Sequence, residues 1–146
     1  MKKTKQENIK IADIIGEVFG ISFTNNEYKL GSWGDADNHC VLNENDLILL
    51  ECEKGQKHPN TNVLKVYPYL EEYLDKRIVL IHYFFPENKA PKNRLALCNF
   101  IASKMESSFK NRFQYISLSC KQAELAEKLQ KQNQGLIKEL LIEKND

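Results

Sequence analysis

The chain has 146 residues, of which 42% are hydrophobic and 28% charged, and its formal net charge is +1. This size and composition predict one soluble globular domain with enough apolar residues to form a core. A near-neutral charge excludes a strong overall basic field, so binding of nucleic acid would depend on a local patch.

The cysteines and the hydropathy pattern exclude two further classes of protein. The four cysteines form no CxxC pair, which argues against a zinc site and is typical of buried, reduced thiols. No signal-peptide pattern or long apolar span is visible. We therefore expect a cytoplasmic protein that does not associate with a membrane.

The first predicted element is a helix. Apolar residues recur at helical spacing from Glu7 to Phe19, and Gly20 is placed to end the helix. Glu17 lies near the edge of the apolar stripe, where ordinary exposure statistics favour a solvated side chain. A connection with many turn residues follows, over residues 21–34.

Two strands, over residues 36–42 and 46–53, form a predicted hairpin with residues 43–45 as its loop. A three-residue hairpin loop usually has a residue with left-handed backbone conformation at its end, and Asn45 tolerates that conformation. Counting outward from this loop places Asp37 opposite Glu51, on the same face as Glu53. A two-residue loop would instead turn Asp37 to the other face. Converging carboxylates need a partner, a proton or a cation, and Mg²⁺ prefers oxygen ligands.

This hairpin carries a resemblance. Asp37, followed fourteen residues later by Glu51-Cys52-Glu53 and set among helix, strand, strand and helix, resembles the PD-(D/E)xK or restriction endonuclease-like nuclease superfamily. Ala36 stands where that pattern usually has Pro. Glu53 stands where it usually has Lys, as in ExE variants. The likeness covers roughly residues 8–120, in the order of elements more than in residues.

The resemblance implies a fold and a cofactor. The fold would be α/β, with a restriction endonuclease-like core over residues 1–120, in which helices flank a central mixed sheet of four to five strands. Asp37 and Glu51 would hold Mg²⁺ or Mn²⁺, together with the backbone carbonyl of Cys52. Glu53 would act as a base or as a ligand of a second metal ion. A carboxylate of the first helix, here Glu17, sometimes joins such a site.

A helix predicted after residue 60 supplies the candidate lysine. In some branches of the superfamily, groups on this helix replace the missing motif lysine. Lys65 is the candidate here, against a solvated lysine as the alternative, and Tyr69 lies one turn further on the same side. Pro68 is expected to kink or restart this helix near Tyr67. The candidate contacts to nucleic acid are Lys57, His58, Lys65 and Tyr69.

The rest of the chain is predicted to continue the α/β pattern. A strand over residues 77–85 contains His82, for which a hydrogen-bonded core position is favoured over the site edge. A helix over residues 94–109 and a strand over 113–119 follow. Residues 121–146 are predicted to contain one long helix. Its leucine stripe, Leu125, Leu129, Leu136 and Leu140, would dock on the domain or zip to a second copy in a homodimer.

The function predicted from this pattern is a Mg²⁺-dependent endodeoxyribonuclease of restriction, repair or defence type, with RNA left open as a substrate. One alternative is a catalytically inactive, nuclease-like module that binds nucleic acid or protein. Another is a small structural protein in which the glutamates pair with Lys54, Lys57 or Lys65 and no metal is bound.

Overall fold

A four-stranded mixed sheet forms the centre of the computed structural model, which describes residues 3–55 and 58–144. The elements in chain order are α1 (Lys3–Phe19), β1 (Tyr28–Lys29), β2 (Asp35–Ala36), β3 (Asn38–Val41), β4 (Asp46–Glu53), α2 (Asn60–Leu64), α3 (Val66–Glu72), β5 (Arg77–Phe84), α4 (Lys92–Ser108), β6 (Phe113–Ser119), α5 (Gln122–Gln130) and α6 (Leu136–Lys144). The prediction of an α/β fold with a mixed central sheet is confirmed.

The strands lie in the order β3-β4-β5-β6. β3 is antiparallel to β4, whereas β4, β5 and β6 run parallel to one another. The two parallel connections each contain helix, as parallel strands require. The short strands β1 and β2 pair separately as an antiparallel ribbon. As a result, the beginning of β3 and the ends of β4, β5 and β6 share one edge of the sheet.

Alternation along the strands sends neighbouring residues to two different cores. On one side, here called the α1 face, Ile48, Leu50, Val79 and Ile81 pack with α1, α5 and α6. On the other side, the α4 face, residues of α2, α3 and α4 cover a second core that includes Leu47, Leu49, Ile78 and Leu80. Glu51, Glu53 and His82 continue the alternation onto the α4 face.

The prediction of a single long C-terminal helix is wrong, because the structure has two shorter helices there. α5 ends at Gln130 and α6 begins at Leu136. Between them, Gly135 has a φ of +75°, a left-handed conformation that glycine adopts readily. The side chain of Gln114 bonds both sides of this break, accepting from the amide of Ile137 and donating to the carbonyl of Gln134.

The leucine stripe packs on the domain, as the docking alternative predicts. Leu125, Leu129 and Leu140 are fully buried, Leu136 is nearly so, and all four belong to the core of the α1 face. A homodimer stays a prediction. Within residues 3–55 and 58–144, none of the helices combines the length and the apolar character needed to cross a membrane.

Candidate active site

The hairpin of β3 and β4 has the predicted register. Asn38 pairs with Leu50 and Val41 with Leu47, and the amide of Leu42 donates to the carbonyl of Asp46 at 2.9 Å. Residues 43–45 therefore form a three-residue loop. Continued by one residue beyond Asn38, this register sets Asp37 opposite Glu51.

The loop reaches this geometry by a different route from the one predicted. Asn45 is not left-handed, since the only non-glycine residue with positive φ in the described part of the chain is Asn111. Instead, the side-chain oxygen of Asn43 accepts hydrogen bonds from the amides of Asn45 and Asp46, at 3.1 and 3.2 Å. An asparagine side chain can close a turn in this way without strained backbone.

Glu51 is a buried carboxyl group at the centre of the candidate site. Only 2% of the residue is exposed. Burial raises the pKa of Glu51 to about 7, the lysine at position 65 opposes this rise, and the negative charges of Asp37 and Glu53 add to it. The three carboxylates predicted to converge therefore lie within electrostatic reach of one another. At neutral pH Glu51 is poised between its neutral and charged forms.

Lys65 reaches Glu51 from the junction of α2 and α3. Its amino group lies 2.9 Å from Glu51 Oε1 and also donates to Asn62 Oδ1, at 2.9 Å, and to the carbonyl of Asp35. The helix breaks at Lys65 and not near Tyr67 as expected, because Pro68 fits the first turn of α3. The prediction that Lys65 faces the acidic residues is confirmed, and its catalytic role stays a prediction.

Glu53 lies at the end of a buried chain of polar groups. Its Oε1 accepts a hydrogen bond from Asn62 Nδ2 and lies 2.8 Å from His82 Nε2, whose Nδ1 is 2.6 Å from the Tyr115 hydroxyl. Glu53 and His82 have no exposed surface. The other oxygen of Glu53, Oε2, is buried and has no hydrogen-bond partner among the described residues. That oxygen is the clearest unsatisfied ligand atom of the site.

The sequence-based interpretation of His82 as a hydrogen-bonded core residue is confirmed, but its contact with Glu53 was missed. The signal was available in the strand pattern. His82 pairs directly with Glu51 across the parallel strands β4 and β5, and alternation gives all three residues the same face. Asn62 was missed because its place depends on where the helix breaks.

Two other predicted site residues do not join this group. Tyr69 is 3% exposed, and its hydroxyl lies 3.2 Å from that of Tyr28, so the ring has no surface to offer to nucleic acid. Glu17 is exposed on α1. It lies ten residues, or about 15 Å of helix, from Glu7, the α1 residue that contacts Lys54 next to Glu53. Glu17 is therefore remote from the carboxylates.

The remaining predicted residues take varied positions. His58 is exposed before α2, and its contact with nucleic acid stays a prediction. Lys57 lies outside the described residues. The Cys52 side chain belongs to the core of the α1 face, and burial raises the pKa of its thiol. Its carbonyl as a metal ligand stays a prediction.

The residue types fit a hard divalent cation, although they do not form a finished site. No three His, Cys, Asp or Glu side chains within residues 3–55 and 58–144 are grouped so that they could hold a metal ion. Lys65 occupies one oxygen of Glu51. Asp37 is exposed, and Glu53 Oε2 is buried without a partner. Carboxylate oxygens are the ligands that Mg²⁺ prefers, and an ion there would satisfy Glu53.

Comparisons of the chain with protein-family models, with curated proteins and with solved structures find no match. The arrangement nevertheless has definite chemical capabilities. One amino group can neutralise an anion, and a carboxyl group with a pKa of about 7 can take up a proton near neutrality.

Proposed function

We propose that this protein is a divalent-metal-dependent nuclease that hydrolyses phosphodiester bonds of DNA, with Mg²⁺ or Mn²⁺ as the ion. One observation carries the proposal: Asp37, Glu51 and Glu53 are collected at one end of a hairpin, where the amino group of Lys65 reaches Glu51. The order of α1, the β3–β4 hairpin, helix and parallel β5 supports a restriction endonuclease-like core of the kind that the motif resembles.

Each residue would have a distinct role. Asp37 and Glu51 would hold the ion, with the Cys52 carbonyl as a further ligand. When bound, the ion would polarise the phosphate and lower the pKa of a water molecule. Lys65 would leave Glu51 for the phosphate, where its charge would offset the charge that develops during hydrolysis.

Glu53 would accept a proton from the attacking water or hold a second metal ion. Hydrogen bonds from Asn62 and His82 fix Oε1, so that Oε2 is the atom left for this work. A lysine at position 53, as in the usual motif, would be able to neutralise the phosphate. Here a glutamate holds that position, and the positive charge comes from the helix junction at Lys65.

One observation favours a second candidate, a small structural protein in which the glutamates are paired with other side chains and no metal is bound. Lys65 pairs with Glu51, and His82 and Asn62 bond Glu53, so both buried glutamates have partners without a cation. A buried charge that has such partners needs no ion for the fold to persist. The two candidates differ in whether a divalent cation binds.

The test is a plasmid-nicking assay with Mg²⁺ or Mn²⁺, run beside isothermal titration of the same ions. We expect nicking that EDTA abolishes. Asp37→Asn and Glu51→Gln should each slow it by at least a hundredfold, the scale on which loss of one group that stabilises a transition state is felt. Glu17→Gln is the matched control, because it removes an exposed carboxylate remote from the site, and it should nick at the wild-type rate.

Two results would contradict the proposal. Nicking that survives both Asp37→Asn and Glu51→Gln, in variants that melt like the wild type, would remove the site assignment. Absence of both nicking and ion binding in the wild-type protein would leave the metal-free structural protein as the better description.

A further inference from the structure

A cleft of about 460 Å³ opens directly beside Asp37. Its walls come from the beginning of α1, the segment before β1 and the beginning of β3. Besides Asp37 it is lined by Lys5, Asn8, Ile9, Asn25, Glu27 and Asn38. Asp37 belongs both to the carboxylate group and to this wall, so a molecule in the cleft would lie against whatever the carboxylates bind.

Amide groups dominate the polar lining. The side-chain oxygen of Asn8 is buried and finds no hydrogen-bond partner in the part of the chain that the structure describes. Asn38, which is 4% exposed, donates from Nδ2 to Asn25 Oδ1 at 2.6 Å, so these two amides hold each other in place. A buried amide oxygen without a donor is a group that a ligand can satisfy.

The lining selects among ligand classes. The carboxylates of Glu27 and Asp37 disfavour a phosphate inside the cleft, and together with Asn8 Oδ1 they favour hydrogen-bond donors. Ile9 adds apolar surface. A nucleobase combines these properties, because it has apolar faces and, in adenine, cytosine and guanine, an exocyclic amino group. Asparagine and glutamine are the side chains that pair with the edge of adenine.

We propose that this cleft binds an unpaired, amino-bearing nucleobase next to the phosphate that is cut. The inference rests on the proposed function and narrows its substrate to DNA with single-stranded character, such as an end, a flap or an opened duplex. A base enters such a cleft only after it leaves the helical stack. The volume of the cleft lies within the usual range for small-molecule sites. Lys5, exposed at the cleft, supplies a positive charge for a neighbouring backbone phosphate.

The experiment measures fluorescence anisotropy of three labelled probes in Mg²⁺. The probes are a 12-mer of deoxyadenosine, the same 12-mer with central abasic positions, and a 12-mer duplex, all with phosphorothioate linkages that resist hydrolysis. We expect the wild-type protein to bind the deoxyadenosine strand about tenfold more tightly than either other probe. Asn8→Leu, which fills the cleft, should remove that preference.

Asn99→Leu, at an exposed position on α4, is the matched control and should keep the preference. Asn8→Ala provides a second variant that removes the amide without adding bulk, in case Asn8→Leu lowers the melting temperature. The inference is overturned if the abasic strand or the duplex binds as tightly as the deoxyadenosine strand, or if both Asn8 variants keep the preference.

The nicking assay separates this inference from the proposed function. Asp37-dependent nicking together with indifference to unpaired bases would keep the nuclease and reject the base-binding cleft. Base-dependent, Asn8-dependent binding in a protein that never nicks DNA would keep the cleft and reject the nuclease.

Discussion

The two faces of the central sheet come from the same strands but are built on different principles. On the α1 face, β4 and β5 contribute Ile48, Leu50, Val79 and Ile81 to an apolar core. On the α4 face, the same strands begin with leucine and isoleucine, and Glu51, Glu53 and His82, all at most 2% exposed, follow toward the other end.

The polar end of the α4 face contributes less to the stability of the fold than apolar residues at the same positions would. Apolar residues at positions 51, 53 and 82 would extend the apolar core of the α4 face, as other apolar residues do on the α1 face. A buried ion pair or hydrogen-bonded acid rarely stabilises a fold more than well-packed apolar residues do. Such groups are common in active sites, where burial and like charges shift pKa values toward a catalytic task. The polar end of the α4 face is thus the part of the sheet with a function to explain.

The largest effect on stability is expected for His82→Ala. The substitution removes a hydrogen bond to the fully buried Glu53 and leaves a cavity, and truncating a large, fully buried side chain costs about 3–5 kcal/mol of unfolding free energy. Ile81→Ala, one residue away on the α1 face, should cost about 2–5 kcal/mol through lost packing alone. Urea denaturation of both variants provides the measurement.

The source of the two losses can be separated by adding Glu53→Gln. It should recover part of the stability lost in His82→Ala and none of that lost in Ile81→Ala, because His82 is the one of these two residues that hydrogen-bonds Glu53. Equal coupling of residues 81 and 82 to Glu53 would contradict the distinction between the two faces.

The second effect is a loss of stability as the pH rises. The pKa of Glu51 is about 7 in the folded protein, against an ordinary value of 4.5. Between these values the unfolded chain has lost this proton while the folded chain retains it, so rising pH favours unfolding. In EDTA, the unfolding free energy of the wild type should fall by on the order of 3 kcal/mol from pH 4 to pH 8 relative to Glu51→Gln.

A divalent ion should reverse this loss, since it binds the charged carboxylate. Thermal melting at pH 8 should show stabilisation by Mg²⁺ in the wild type and little in Glu51→Gln. A difference between the two proteins that does not change with pH would show that Glu51 keeps its ordinary pKa.

The smallest effect is expected for Lys65→Met. Methionine keeps the apolar stem but loses the bonds to Glu51 and Asn62, and we expect a cost of about 1–2 kcal/mol at pH 7. Because the positive charge of Lys65 lowers the pKa of Glu51, its removal should move the pH-dependent loss of stability to higher pH. Unfolding curves over a pH series test both expectations, and an unmoved pH window would show that Lys65 does not act on Glu51.

Strand pairing and its register could be predicted because they follow from short-range rules. A period of two and a three-residue loop are enough to bring Asp37 opposite Glu51, and β4 and β6 have the predicted bounds. These features depend on residues that lie close together in the sequence. Lys65 was predicted as a candidate because groups on this helix replace the missing lysine in some branches of the resembled superfamily.

Features set by distant contacts were harder to predict. At the break between α5 and α6, Gln114 of β6 forms hydrogen bonds with the backbone of Gln134 and Ile137. No local sequence pattern connects Gln114 to this segment. The position of the helix break at Lys65 depends on how α2 and α4 pack on the sheet. The same packing determines which side chains contact Glu53. Glu17 was a candidate because a carboxylate of the first helix sometimes joins the site in the resembled superfamily. It lies toward the far end of α1, remote from the three carboxylates.

The turn at residues 43–45 lies at the opposite end of the hairpin from the carboxylates, yet it controls them. Side chains change faces with every residue of offset between two strands. A single inserted or deleted residue in this solvent-facing turn would therefore rotate Asp37 away from Glu51 while leaving every acidic group in the chain. In a library of single-residue insertions and deletions, we expect these positions to be as intolerant as the carboxylates themselves, although ordinary substitutions at residues 44 and 45 should be accepted.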